Sequence, residues 1–429
     1  MNRFLQRLSR LAAPAETTPV QRRNFINVQI DAVGIGLSAA AATFLPVFLT
    51  RLGATNTQVG LLTAMPSLTG LVFGVLVGRY LQGQRQIVPA FSQARFLVVS
   101  AYALTGLAPF VVPAGWAVPA VLAIWAAVTL PQVAVNVGFS VVMNAVAGPK
   151  LRYDLLSRRW SILGLTSAVT VALAGQVLDR AQIFPLNYQL TFLALSVGGL
   201  ISLVFSSRIQ IPDQPPAPPL VPGAQDGRGA AGGSWPARLR AGVAAVRRYP
   251  DYVAFVSRRF VFFLGLSLGV PLFPLYFVRE AQATDAWIGA INTAQTCVLV
   301  VGYSLWPRIS RVRGGRFVLS WTTFGLALYP ALLAGTHDVR VIAVLAGLVG
   351  IFQAGLDLVF FDELMKTVPA DQTAVFVSLA QSLQYLSGVA APLIGTALAD
   401  AFGLGGALVA SAVVRLVGWS LFAFWPARR

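Results

Sequence analysis

Apolar stretches of about 20 residues recur from one end of this chain to the other, separated by short arginine-bearing loops. Each is long enough to cross a hydrocarbon core about 30 Å thick, and this repetition constrains the fold more than any other feature. In lipid every backbone polar group must be satisfied internally, which leaves helices or a closed barrel. A barrel needs alternating segments of about ten residues, which the sequence lacks, so an all-α integral membrane protein is expected. Hydrophobic residues make up 56% and charged residues 11% of the chain, against about 25% charged in soluble domains.

Twelve spans are predicted, near 25–49, 57–80, 87–111, 117–142, 159–178, 187–207, 255–278, 287–306, 316–335, 340–362, 373–398 and 404–425. An even number puts both termini on one side. Of the 32 Lys and Arg residues, only Arg51, Arg180, Arg279 and Arg340 fall in loops on the other side, and Arg95 and Arg415 within spans. This bias makes the terminal side cytoplasmic and accounts for the formal charge of +17 without nucleic acid. The predicted organisation is an N-terminal tail (1–24), a six-helix bundle (25–207), a Pro/Gly-rich linker (208–250), a second bundle (251–425) and a short C-terminal tail (426–429). A basic surface helix near 236–249, attracted to anionic headgroups, is expected in the linker. A single cysteine, Cys297, and a single histidine, His337, exclude an internal disulfide and leave no Cys- or His-based metal site.

The two bundles repeat one another. Pro46-Val47-Phe48-Leu49-Thr50-Arg51 corresponds to Pro274-Leu275-Tyr276-Phe277-Val278-Arg279 at an offset of 228 residues (51 to 279). After a short turn, Thr55-Asn56-Thr57-Gln58-Val59-Gly60 corresponds to Thr284-Asp285-Ala286-Trp287-Ile288-Gly289, now at 229 (60 to 289). Gly83-Gln84-Arg85 matches Gly314-Gly315-Arg316. Gln132 and Asn136 match Gln353 and Asp357, Pro149 matches Pro369, and Gly175 matches Gly395. Collinear matches indicate a duplicated six-helix unit. Because six is even, the copies are parallel repeats, related by an axis along the membrane normal.

With the paired turns ending at Gly60 and Gly289 and the loop Trp306-Pro307-Arg308-Ile309-Ser310-Arg311-Val312-Arg313-Gly314-Gly315-Arg316, the chain resembles the major facilitator superfamily from about Asn24 to Trp425. The resemblance implies a solute transporter with a central cavity lined by spans one, four, seven and ten. The loop departs from the family signature: Arg311 occupies the acidic position, and the first copy has Gly78 or Gln82 there. Span five, with Gly164 and Gly175, lacks the family's antiporter motif, of which Gly388 and Ala391-Pro392-Leu393-Ile394-Gly395 in span eleven are a partial counterpart.

A charge near mid-membrane is usually paired or faces water. Asp31, six residues into span one and so about 9 Å deep, either binds a proton or cationic group or pairs with an arginine such as Arg258 or Arg259. Gln132 and Asn136, like Gln353 and Asp357, lie one turn apart on one face. They either face the cavity or join helices by hydrogen bonds. Tyr276 is a further binding candidate. Asn292, Gln295 and the buried Cys297 belong to span eight, and Gln381, Gln384 and Tyr385 to span eleven. Arg95 is expected to snorkel to the interface, and Arg415 requires a buried partner. Arg308, Arg311 and Arg316 could pair with Asp362 and Glu363, near Lys366 and Asp371, to close the cytoplasmic side, or these charges are solvated.

The sequence contains no ATPase module and no nucleophile–base pair within the spans. An enzyme is therefore not expected, and transport would be facilitated or ion-coupled. Proton coupling would fall to Asp31 and Asp357. A monomer without cofactor is expected, with a small solute and the bilayer as its partners. The alternative is a transporter-like protein that senses or assembles without transporting.

Overall fold

A computed structural model describes residues 17–424 except 83, 85, 182, 212–247 and 369–372. The predicted linker and its surface helix lie almost wholly outside the described residues, as do Asp371 and Pro369. Among those described the chain is helical, with no strands.

The helices are α1 (Pro19–Arg51), α2 (Asn56–Gln82), α3 (Ile87–Val111), α4 (Ala117–Arg180), α5 (Leu186–Ser207), α6 (Pro250–Gly269), α7 (Leu272–Arg279), α8 (Asp285–Arg313), α9 (Gly315–Ala334), α10 (Val339–Thr367) and α11 (Thr373–Ala423). Ten stretches among the described residues are long and apolar enough to cross a membrane. The 27-residue α2 supplies another crossing, being about 40 Å long. The stretch Leu379–Ala423 is two crossings folded about Gly403, giving the expected twelve. Gly403 has φ 75°, a conformation open to glycine, so one apolar run reverses direction there. Likewise α4 goes out as Ala117–Ala147 and returns as Arg158–Arg180. The predicted loop between spans four and five is therefore helical through most of its length. Span seven divides into α6 and α7 at Val270-Pro271.

Local chemistry fixes several helix starts. Thr18 and Gln21 form a capping box with Pro19 in the first turn. Thr55 and Gln58 do the same for α2, with Gln58 N donating to Thr55 Oγ1 at 3.2 Å and Thr55 N to Gln58 Oε1 at 2.8 Å. The equivalent Thr284 caps α8, accepting from Trp287 N. The sequence repeat is thus also a repeat of helix starts.

Helices α1–α5 form one half and α6–α11 the other. The halves meet where α2 packs on α11, the returning limb of α4 packs on α8, and α1 meets α7. Small residues permit the approach: a Cβ on Gly175 would lie 2.6 Å from the Asp285 carbonyl oxygen and 3.2 Å from Gly289 Cα. Gly60 meets Thr396 in the equivalent place. Such close helix contact supplies packing where lipid provides no hydrophobic drive.

Candidate transport pathway and its gate

The end of the bundle away from the termini is closed by two arginines, one from each half. Arg51, at the end of α1, donates through Nη2 to Asp285 Oδ1 at 2.9 Å and to the Ala283 carbonyl at 3.2 Å. Arg279, at the end of α7, donates through Nη1 to Asn56 Oδ1 at 2.6 Å and through Nη2 to the Ala54 carbonyl. These positions correspond in the duplication: Arg51 with Arg279, Ala54 with Ala283, Asn56 with Asp285. Each half clasps the other by the same geometry. In the first clasp Tyr188 Oη also donates to Asp285 Oδ1, at 2.6 Å, with its ring stacked on Phe48 at 5.1 Å. In the second, the amide of Asn56 cannot balance the Arg279 charge; it donates onward to Asp400 Oδ1 at 2.7 Å.

Below this clamp lie two adjoining chambers between the halves. The first, of about 230 Å³, is mostly apolar; its wall includes Pro46, Val47, Leu62, Phe273, Phe277 and Ile291, with Asn292 and Gln295. The second, of about 360 Å³, lies towards the terminal side. Its wall includes Ser67, Ser267, Gln295, Gln353, Gln384, Tyr385 and Arg415. Val270, Phe273, Gln295 and Tyr329 belong to both. One turn further towards the terminal side, Asp357 is exposed on the same face of α10 as Gln353. Gln353 Nε2 donates to Asp357 Oδ1 at 2.8 Å, and Tyr303 Oη of α8 to Oδ2 at 2.9 Å.

The candidate residues therefore separate. Gln353 and Asp357 stand together on the cavity face. Gln132 and Asn136 do not join them: neither lines a chamber, and neither side chain has a hydrogen-bond partner among the described residues. No described residue of span four lines the two chambers; α2 and α8 contribute to the walls that spans one, four, seven and ten were expected to share. Tyr276 is 1% exposed, stacks on His337, donates to the Thr336 carbonyl at 3.0 Å and lines neither chamber. Cys297 is exposed rather than buried.

Asp31 is paired as the cost of buried charge requires, but not with Arg258 or Arg259. Arg95 of α3 donates to Oδ1, Arg159 of α4 reaches Oδ2 at 3.3 Å, and Ser202 of α5 donates to Oδ1 at 2.6 Å. Arg95 is thus buried, at 4% exposure, and does not snorkel. Four helices of the first half converge on one carboxylate. A proton or substrate cation would have to displace two guanidiniums to reach it.

The expected gate between Arg308, Arg311, Arg316 and Asp362, Glu363 takes another form. Asp362 and Glu363 bind Lys366 of their own helix at 2.7 and 2.8 Å, while the three arginines are exposed. All these groups belong to the second half, so pairing among them cannot hold the halves together.

Arg415 finds its partners in broken helices. Pro330 has no N–H, which orphans the Leu326 carbonyl, and Arg415 Nη1 donates to that oxygen at 2.9 Å. Val270 N turns to Ser267 O at 3.3 Å, leaving the Leu266 carbonyl to Arg415 Nη2 at 3.4 Å. Arg415 Nε donates to the Gly265 carbonyl at 3.2 Å. Gly265 and Gly269 open the slot: a Cβ on either would lie within 2.7 Å of the Arg415 side chain. The sequence shows two glycines a turn apart in one span and an arginine in another, but not that they meet.

No protein-family model matches the sequence, and no curated protein matches it by sequence. Solved structures match it closely in shape. A mutant of the nucleoside transporter NupG superposes with a TM-score of 0.70 at 10% identity, covering 94% of this chain and 99% of that one. A POT family transporter in complex with a thioalcohol-conjugated peptide gives 0.68 at 11% identity, covering 94% and 95%. A bacterial homologue of the human lysosomal transporter Spinster, inward-facing and unoccupied, gives 0.67 at 12% identity, covering 95% and 97%. At these identities the likeness is one of fold: this chain is a multi-pass membrane protein with the twelve-helix fold of the major facilitator type.

Proposed function

We propose that this protein carries a small solute across the membrane by alternating access, and is not an enzyme. The carrying observation is the reciprocal arginine clamp at one end of a chambered path, with polar wall residues continuing towards the other end. A clamp made of corresponding positions from both halves can be released by rocking one half against the other. The neighbours in fold are named as transporters, which supports the same reading. The arginine-rich terminal side is cytoplasmic by the positive-inside rule, so this state is open inward, in the cytoplasmic membrane, and the working unit is one chain. Asp357 is the proposed proton-coupling group: it is exposed on the path and held only by the neutral Tyr303 and Gln353. Asp31, enclosed by two arginines, is assigned to structure.

Purified protein in sealed liposomes, offered a broad panel of small solutes, is expected to move at least one faster than protein-free vesicles. No flux and no counterflow across the panel, from protein with an intact melting transition, would favour the sensor or assembly role.

A further inference from the structure

We propose that the chamber nearer the terminal side is a binding site for an amphipathic organic monoanion, its acidic group held by Arg415 and Arg259. The proposal rests on the transport reading above for its biological sense, and on the following geometry for its chemistry.

Arg415 is 2% exposed and forms part of the chamber wall. Its hydrogen bonds go to three carbonyl oxygens, which occupy three of the five N–H donors of a guanidinium. Among the described residues no carboxylate lies within ion-pair distance, so its charge is uncompensated. Arg259 of α6 lines a small side pocket that shares Phe263 and Gln384 with this chamber. Its Nη2 donates at 2.8 Å to Gln384 Oε1, itself a wall residue, and its buried Nε has no hydrogen-bond partner. Among the described residues the nearby acidic group, Asp357, binds Tyr303 and Gln353 and neither arginine. Arg415 in the wall and Arg259 beside it, each with spare donors and neither with a carboxylate at ion-pair distance among the described residues, suit one carboxylate or sulfonate. The adjoining chamber is apolar and shares Phe273, Val270 and Tyr329 with this one, which gives the ligand's hydrocarbon part its place. Together the chambers fall within the size range of small-ligand sites.

The test is a thermal-shift and calorimetric series on full-length protein in a non-ionic detergent. The probes are aliphatic and aryl monocarboxylates and sulfonates of four to twelve carbons, each paired with its amide and its primary amine. At least one acid is expected to bind at least tenfold more tightly than its amide and amine. Arg259→Gln, which leaves the carbonyl partners of Arg415 in place, should weaken that acid at least fivefold. Arg415→Lys, which keeps the charge but not the fork, should weaken it while preserving the preference for anions. Amides or amines binding as well as their acids, no acid binding at all, or unchanged affinity in both variants would overturn the proposal. Binding needs no flux: an acid that binds but is not moved in liposomes would sink the transport reading and leave this one standing. Movement of only neutral or cationic solutes would do the reverse.

Discussion

At the scale of single residues, the two carboxylates first considered together have opposite roles. Removing the Asp31 charge leaves Arg95 and Arg159 facing each other in a buried site, and breaking such a pair typically costs about 3–5 kcal/mol. Asp31→Asn should therefore lower the melting temperature markedly in detergent; a normal melting temperature with altered pH response would reverse the assignment. Asp357→Asn can still accept from Gln353 at Oδ1 and, with its Nδ2, donate to Tyr303 Oη instead of accepting from it, so it should leave stability within about 0.5 kcal/mol, the range of substitutions away from buried networks. Its expected effect is on how flux depends on an imposed pH gradient, and unchanged kinetics would remove Asp357 as the coupling group. The sequence made both visible, because charges in apolar spans are rare. It could not say which helices surround them. Asp31 meets residues 64, 128 and 171 positions away, a neighbourhood set by bundle packing alone.

At the scale of elements, the instructive feature is how interrupted helices are repaired. Pro330 and the break at Val270-Pro271 free carbonyls that Arg415 then binds. Arg415→Met should destabilise by about 1–3 kcal/mol for each carbonyl left unsatisfied. Pro330→Ala lets the Leu326 carbonyl regain a helical partner. The double variant should therefore be more stable than the sum of the two single changes by about 1 kcal/mol. Strict additivity in denaturation would show that Arg415 is not serving that carbonyl. Prolines, glycines and the arginine were all legible as anomalies in apolar runs; their mutual contact was not. Helix number was legible from hydropathy, whereas the helical connection within α4 was not, since a proline and a run of charges between two spans signal a loop.

For the whole molecule, the duplication was read from matched turns before their purpose could be known. Arg51 with Ala54 and Asn56, and Arg279 with Ala283 and Asp285, were recognisable as copies. That each copy grips the other emerges only when the halves are brought face to face. The residues anticipated as a cytoplasmic gate all belong to one half, while the contacts between the halves at the other end use the few arginines there. Each clasp is a charge-assisted contact, of a kind worth about 1.5–3 kcal/mol. Loss of one should shift a two-state equilibrium by at least about tenfold. The most direct measurement places spin labels at Thr57→Cys and Ala401→Cys in a Cys297→Ser background and records their distance distribution in liposomes. A short distance should dominate in the parent, and Arg51→Ala with Arg279→Ala should add a distinctly longer population. One unchanged short distance in both proteins would contradict a clamp that opens, and with it alternating access through this path.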